Sequence, residues 1–114
     1  MFIYFHNPKC SKSRQGLELL QKKGVKFVIK DYLKEGLSEK EVLDLSKFLN
    51  LAPSEFIRKK EDIYKELNLS EKKLNNTEWS KIIAENPKLL ERPILSNGKK
   101  AIIGRPTENL LKLI

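Results

Sequence analysis

The spacing of apolar residues at the start of the chain changes from strand-like to helix-like and back again. Residues 2–5 are aromatic or β-branched, which predicts a short strand. Leu17 and Leu20 are three positions apart and predict one buried helix face, and Gly24 fits the position just after a helix end. Residues 25–30 again have the pattern of a strand. A series of this length predicts a right-handed crossover between two parallel strands.

The middle of the chain is predicted to be helical. Ser38 and Glu41 form a capping-box pattern ahead of apolar residues at helical spacing. Pro53 fits the first turn of a second, short helix that continues through Ile57. Thr77 is the predicted cap of a further helix. These signals predict a block of helices in place of further strands.

The end of the chain returns to strands. Residues 94–95 and 101–103 are apolar and flank Asn97-Gly98, a pair typical of a tight hairpin turn. Pro106 fits the first position of a final helix. The chain is therefore predicted to end in a β-hairpin and a helix.

The predicted element order is β-α-β, a helical block, and then β-β-α. Without the block, which covers roughly residues 38–90, this is the order of a thioredoxin-like α/β domain. The block is accordingly predicted to be an insertion between the two halves. The chain has 114 residues and no repeat, low-complexity tract or linker, so residues 1–114 are predicted to form one domain.

Composition restricts the classes of partner. Apolar residues make up 39% of the chain, and no apolar run approaches the roughly 20 residues of a membrane span. The N-terminus lacks the basic region and long apolar stretch of a signal peptide, so we expect a cytoplasmic protein without a membrane partner.

The net charge of +8 allows a nucleic-acid binder, but the lysines are scattered among acidic residues, which favours a solvated surface and no nucleic-acid partner. Nothing in the sequence suggests more than a monomer.

The only cysteine, Cys10, is the leading candidate for chemistry. It follows the turn between the first strand and the first helix, where free N–H groups and the helix dipole lower the pKa of a thiol. Ser13 offers a hydroxyl donor, and His6 is placed to hydrogen-bond the thiolate or to move a proton. A lone cysteine is often a buried, inert side chain, but the neighbours of Cys10 are lysines and serines.

The pattern around Cys10 also excludes some chemistry. One cysteine and one histidine do not make a structural zinc site, so no metal is expected. A dithiol oxidoreductase needs Cys-x-x-Cys, and this chain has Ser13 at the second position. A phosphatase-type Cys-x5-Arg loop would need arginine at Gly16. Turnover by thiol chemistry would therefore need a thiol from another molecule.

Three of the four arginines are candidates for binding an oxyanion. Arg92 and Arg105 each precede a proline, and in a thioredoxin-like layout the loop before the third strand lies against the active-site cysteine. The guanidinium fork suits oxyanions. Alternatively, each arginine is a surface residue or the ion-pair partner of an acidic neighbour such as Glu91.

Four segments contain the candidate cysteine and arginines: His6-Asn7-Pro8-Lys9-Cys10-Ser11-Lys12-Ser13-Arg14, Phe56-Ile57-Arg58-Lys59-Lys60, Glu91-Arg92-Pro93-Ile94 and Gly104-Arg105-Pro106-Thr107-Glu108. Together they resemble the motifs of the ArsC family, the glutaredoxin-coupled arsenate reductases. The resemblance covers nearly the whole chain, including the helical block.

The resemblance implies a catalytic Cys10 that attacks arsenate, with His6 tuning its thiolate. Arg58, Arg92 and Arg105 would bind the oxyanion. No cofactor would be tightly bound. Glutathione would be the co-substrate that attacks the adduct and allows release of arsenite, and glutaredoxin would be the partner that resolves the mixed disulfide.

Two alternatives stay open at this level. Lys12 stands where family members often have threonine, and Ile63 where they often have proline. The same fold also serves relatives of unknown substrate, so a glutathione-linked thiol oxidoreductase without arsenate specificity is one alternative. The other is a non-enzymatic Spx-like protein that binds RNA polymerase.

Overall fold

A four-stranded mixed sheet in the order β2-β1-β3-β4 forms the centre of the protein, and the computed structural model describes residues 1–114. β1 (Phe2–Phe5) pairs in parallel with β2 (Phe27–Lys30). β3 (Ile94–Ser96) pairs antiparallel with both β1 and β4 (Ala101–Ile103). The predicted parallel crossover and the C-terminal hairpin are therefore confirmed, as is the thioredoxin-like arrangement of the sheet.

One helix connects the two parallel strands, and a long helical segment separates β2 from β3. None of these helices is both long enough and apolar enough to cross a bilayer. The α-helices are α1 (Ser11–Lys22), α2 (Tyr32–Glu35), α3 (Glu39–Leu49), α4 (Asp62–Glu66) and α5 (Asn76–Glu85). Short 3-10 helices cover Pro53–Glu55, Leu69–Glu71, Pro87–Leu89 and Thr107–Lys112. The boundary of a single domain stays a prediction.

Local hydrogen bonds explain where the helices begin. The capping box predicted for α3 is confirmed: Glu41 N donates to Ser38 Oγ at 3.1 Å, and Ser38 N donates to Glu41 Oε1 at 3.0 Å. The predicted cap at Thr77 is wrong. Asn75 caps α5 instead, because its Oδ1 accepts from Glu78 N at 2.8 Å while Glu78 Oε1 accepts from Asn75 N. Thr77 consequently lies in the first turn.

Two predicted helices are shorter or shifted. Pro53–Glu55 is a single 3-10 turn that stops before Ile57, because Ile57 forms an antiparallel bridge with Leu90. Pro106 is not the first residue of the last helix. It is the extended residue before the 3-10 helix Thr107–Lys112, with ψ of 163°.

The core lies on both faces of the sheet, because successive strand side chains point in opposite directions. Tyr4 and Leu95 pack with Leu20 and Leu110 on the face covered by α1 and the C-terminal turn. On the other face, Phe5 is one of 13 buried residues that join the sheet to the helical segment. The strand carrying Tyr4 is thereby held from both sides, and the loop that follows it leads directly to Cys10.

Gly16 allows α1 to approach this sheet closely. A Cβ at this position would collide with Tyr4 Oη and would lie 2.9 Å from Leu110 Cδ1. The absence of a side chain is therefore a packing requirement, although alanine is the better helix former.

We expect Gly16→Ala to destabilise the fold by about 1–2 kcal/mol, because the clash outweighs a helix-propensity gain of at most about 1 kcal/mol. Urea denaturation measures the change, and Gln15→Ala on the exposed side of α1 is the control, expected within about 0.5 kcal/mol of wild type. Equal or greater stability of Gly16→Ala would contradict the close packing.

Candidate active site

Cys10 is the N-cap residue of α1. Its backbone is extended, with φ of −94° and ψ of 124°, and its N–H donates to Asn7 O at 3.0 Å. Its carbonyl accepts the first helical hydrogen bond from Arg14 N at 3.0 Å. The half-buried thiol therefore lies at the position where the first N–H groups of the helix have no carbonyl partner.

The surroundings of Cys10 favour the thiolate. Burial raises the pKa of the thiol, but the backbone N–H of Ser13, the Arg92 guanidinium and the backbone N–H of Lys12 lower it by more. The pKa of Cys10 is consequently below the ordinary value of a cysteine. A thiolate is the nucleophilic form of the side chain.

Arg92 and Arg105 reach Cys10 from the two loops that flank the C-terminal hairpin. Arg105 Nη2 lies 3.7 Å from Cys10 Sγ, and Arg105 Nε donates to Arg92 O at 2.7 Å. Burial alone would lower the pKa of Arg92, yet its contact with Cys10 and the nearby Tyr32 and Glu61 raise it. Both arginines precede cis prolines. Two of the three predicted arginines thus lie against the thiol.

Arg58 comes to the same region through a short backbone pairing. Arg58 N donates to Leu89 O at 2.7 Å, and Glu91 N donates to Phe56 O at 2.9 Å. Between these two hydrogen bonds lies the bridge between Ile57 and Leu90. The helical segment that carries Arg58 is thereby attached to the loop that carries Arg92.

The Glu91 carboxylate connects the arginine-bearing segments. Glu91 Oε1 lies 3.3 Å from Arg58 Nη1 and 3.2 Å from Arg105 Nε. The same oxygen accepts from the backbone N–H of Arg92 at 3.2 Å. Arg58 and Arg105 are therefore ion-pair partners of Glu91, as one of the two interpretations from the sequence predicts. The binding of an oxyanion by the three arginines stays a prediction.

The His6 ring contacts the side chain of Ser13 and not the thiol of Cys10. His6 Nδ1 lies 2.7 Å from Ser13 Oγ, which also accepts from Asn7 N at 3.0 Å. The Ser13 side chain is fully buried in this network, and Tyr4 Oη donates to Ser13 O at 2.6 Å. The Ser13 hydroxyl is thus engaged by His6 and Asn7, and Ser13 reaches Cys10 through its backbone N–H. A part for Ser13 in substrate binding stays a prediction.

His6 therefore supports the loop through Ser13 and does not hydrogen-bond the thiol. Burial lowers the pKa of His6; Asp31 opposes this shift, and Arg14 adds to it. A neutral ring with its proton on Nε2 accepts the hydroxyl hydrogen of Ser13 at Nδ1.

Tyr32 was not identified from the sequence. Its side chain is fully buried, and Arg92, Cys10 and Arg58 lie near its hydroxyl group. Burial, opposed by Arg92, raises the pKa of Tyr32 to about 12. In the sequence Tyr32 is an aromatic residue after a strand, so nothing there separates it from a core residue.

A groove of about 880 Å³ begins beside the cysteine loop. Only two of its 14 lining residues, Leu33 and Ile63, are hydrophobic. Pro8, Lys9 and Arg92 line the part nearest Cys10. No group of three or more histidine, cysteine or acidic side chains is arranged to hold a metal ion. The site is therefore a thiolate with arginines, next to a polar groove.

We expect the alkylation rate of Cys10 to titrate below the ordinary thiol pKa of about 8.5, because α1 and Arg92 stabilise the thiolate. Replacing Arg92 with Gln removes a positive charge, so the pKa should rise. Iodoacetamide kinetics between pH 5 and 10 measure both values, and Lys22→Gln at the far end of α1 is the control. A wild-type pKa at or above the free value would contradict this arrangement.

His6 is the only histidine, so one imidazole signal reports its titration by NMR. We expect a pKa below 6.5, and a lower one still in Asp31→Asn, since Asp31 favours the charged ring. The unfolded chain then binds a proton more readily than the folded chain. Stability from this group is complete above pH 6.5 and is lost as the pH falls towards the folded pKa. A pKa above 6.5 would reverse that sign.

Comparison with known proteins agrees with this geometry. The model of the ArsC family matches residues 5–113. An arsenate reductase of Haemophilus influenzae is 42% identical over 113 residues, which is 98% of this chain and 97% of that protein. The uncharacterised protein YfgD of Escherichia coli is also 42% identical, over 96% of this chain and 93% of that protein.

A solved structure gives the same result for the fold. An arsenate reductase from Vibrio cholerae superposes with a TM-score of 0.93 at 41% identity, covering 99% of this chain and 97% of that one. The family match extends from the last residue of β1 to the penultimate residue of the chain, and it includes Cys10 and all three arginines. The chain belongs to the ArsC family.

Proposed function

We propose that this protein is an arsenate reductase whose Cys10 thiolate attacks the arsenic atom of arsenate. The observation that supports this most strongly is the meeting of Cys10 with Arg92 and Arg105, with Arg58 held beside them by Glu91. Guanidinium groups around a nucleophile are suited to a tetrahedral oxyanion. The arsenate reductases among its relatives support the same substrate.

In the first step, the sulfur lone pair forms an S–As bond and one arsenate oxygen leaves as water after protonation. The thiolate is available near neutral pH because its pKa is lowered. The arginines stabilise the negative charge on the remaining oxygens. His6 keeps the loop in shape through Ser13, which holds the backbone N–H groups in place under the sulfur.

In the second step, a thiol from another molecule attacks the adduct. Arsenic gains two electrons and leaves as arsenite, while Cys10 and the incoming thiol each lose one electron and join in a disulfide. The chain has no second cysteine, so this thiol is external, and we propose glutathione. Glutaredoxin then reduces the mixed disulfide with a further glutathione. We place the approach of this thiol in the polar groove, because Pro8, Lys9 and Arg92 line it beside the Cys10 loop.

The proposal also covers the cofactor, the oligomeric state and the location of the protein. No cofactor is tightly bound, because glutathione supplies the electrons. The protein acts as a monomer in the cytoplasm, where glutathione is reduced.

We expect arsenate-dependent consumption of NADPH in a coupled assay that contains the purified protein, glutathione, glutaredoxin and glutathione reductase, because glutathione reductase oxidises NADPH as it reduces the glutathione disulfide produced by turnover. Cys10→Ser should abolish this turnover, since the hydroxyl is not ionised at neutral pH. An absence of arsenate-dependent turnover in wild type would overturn the proposal. Cys10-dependent reduction of a glutathione mixed disulfide without a response to arsenate would indicate a thiol oxidoreductase instead, and recovery of RNA polymerase in a pull-down would indicate a binding protein.

The four arginines provide a matched set of variants. We expect Arg58→Gln, Arg92→Gln and Arg105→Gln each to lower kcat/KM for arsenate at least tenfold, because each removes a donor to developing negative charge. Arg14→Gln is the control, because Arg14 is exposed on α1 and its side chain donates to the Pro8 carbonyl of the loop before the helix. Its kcat/KM should stay within about twofold of wild type. Equal losses in all four variants would show a general charge effect and would contradict specific roles.

A further inference from the structure

Glu91 places a carboxylate inside the arginine cluster. Its side chain is 24% exposed, and its Oε1 contacts Arg58, Arg105 and the backbone of Arg92 within 3.3 Å. An arsenate held at Cys10 would approach the same two guanidinium groups, because its oxygens are also negatively charged acceptors of N–H hydrogen bonds. Glu91 and a bound oxyanion therefore compete for Arg58 and Arg105.

We infer that Glu91 is a built-in competing anion that orients Arg58 and Arg105 and at the same time lowers the affinity of the site for free oxyanions. The inference deepens the proposed function and rests on its oxyanion site. Ion pairing keeps the two guanidinium groups in a fixed orientation when the site is empty, which reduces the reorganisation needed on binding. The negative charge of Glu91 also repels an incoming dianion at short range.

Weaker binding of free oxyanions limits occupancy of the site by phosphate. Binding energy expressed equally in the substrate complex and the transition state lowers KM without raising kcat. Phosphate has the same shape and charge as arsenate, so a site that bound oxyanions tightly would be occupied by phosphate. A carboxylate that weakens binding of the free anion limits this occupancy.

Glu61 provides a matched comparison. It pairs with the same arginine as Glu91, with Oε2 3.3 Å from Arg58 Nε and the same 24% exposure, but it does not contact Arg105. Asp44, which pairs with Lys40 at 2.9 Å on the surface of α3, serves as a control distant from the site. All three carboxylates can be changed to the amide of the same shape.

The test measures binding of inorganic phosphate to the full-length protein at low ionic strength. Calorimetry gives the Kd, and protection of Cys10 from iodoacetamide gives an independent value. We expect Glu91→Gln to bind phosphate about tenfold more tightly than wild type, Glu61→Gln about threefold or less, and Asp44→Asn equally. A gain in affinity cannot result from a loosened structure, which would only weaken binding.

Steady-state kinetics of the Glu91→Gln variant test the same inference. KM for arsenate should fall by a similar factor while kcat does not rise, and inhibition by phosphate should become stronger. If Glu91→Gln does not fold, Glu91→Asn removes the same charge and must shift the Kd in the same direction.

Unchanged or weaker phosphate binding in the folded Glu91 variants would overturn the inference, and normal arsenate turnover by wild type would then leave the proposed function intact. Absence of phosphate binding and of arsenate turnover in wild type and in the Glu91 variants would overturn both.

Discussion

The backbone pairing between residues 56–58 and 89–91 is the constraint on which the site depends. Its two hydrogen bonds, of 2.7 and 2.9 Å, flank the bridge between Ile57 and Leu90, and both side chains are buried. Arg58 belongs to the helical segment, whereas Arg92 follows the pairing into β3. Because the pairing fixes the backbone at Glu91, one carboxylate reaches arginines that are far apart in sequence. The helical segment is thus a structural part of the candidate site.

The second constraint is the start of α1. The thiol lies where helix N–H groups lack carbonyl partners, and the loop before it is held by the buried Ser13 hydroxyl between His6 and Asn7. Gly16 lets the helix approach Tyr4, whose Oη binds the Ser13 carbonyl. The lowered pKa of Cys10 therefore depends on packing well below the surface as well as on the nearby arginines. A change at the helix–sheet contact would be transmitted to the nucleophile.

Much of the fold could be predicted from local patterns. Apolar spacing located the strands and α1, and the reciprocal Ser38–Glu41 signal located α3, because each depends on residues close in sequence. Asn75 was missed as a cap because both Asn75 and Thr77 precede the same apolar helix face. Contacts between distant segments determine three other features. These are the orientation of the Ser13 hydroxyl, the burial of Tyr32, and the pairing of the Glu91 carboxylate with both Arg58 and Arg105. Hydrophobic periodicity holds no information on such contacts. The fold alone could place the Arg92 loop beside Cys10, whereas only the resemblance to a family supports a shared role for Arg58 and Arg105.

Selectivity in the proposed reaction must come from the chemical step. Arsenate and phosphate present the same tetrahedron of oxygens, so Arg58, Arg92 and Arg105 stabilise both by the same contacts. Arsenic accepts a thiolate and then two electrons, a reduction that phosphate does not undergo with thiols. In the proposed reaction the nucleophile would therefore select between them, and the arginines would mainly stabilise charge after the S–As bond forms. In such a site a strong preformed attraction for anions would favour the abundant non-reacting one, and a carboxylate among the arginines agrees with that requirement.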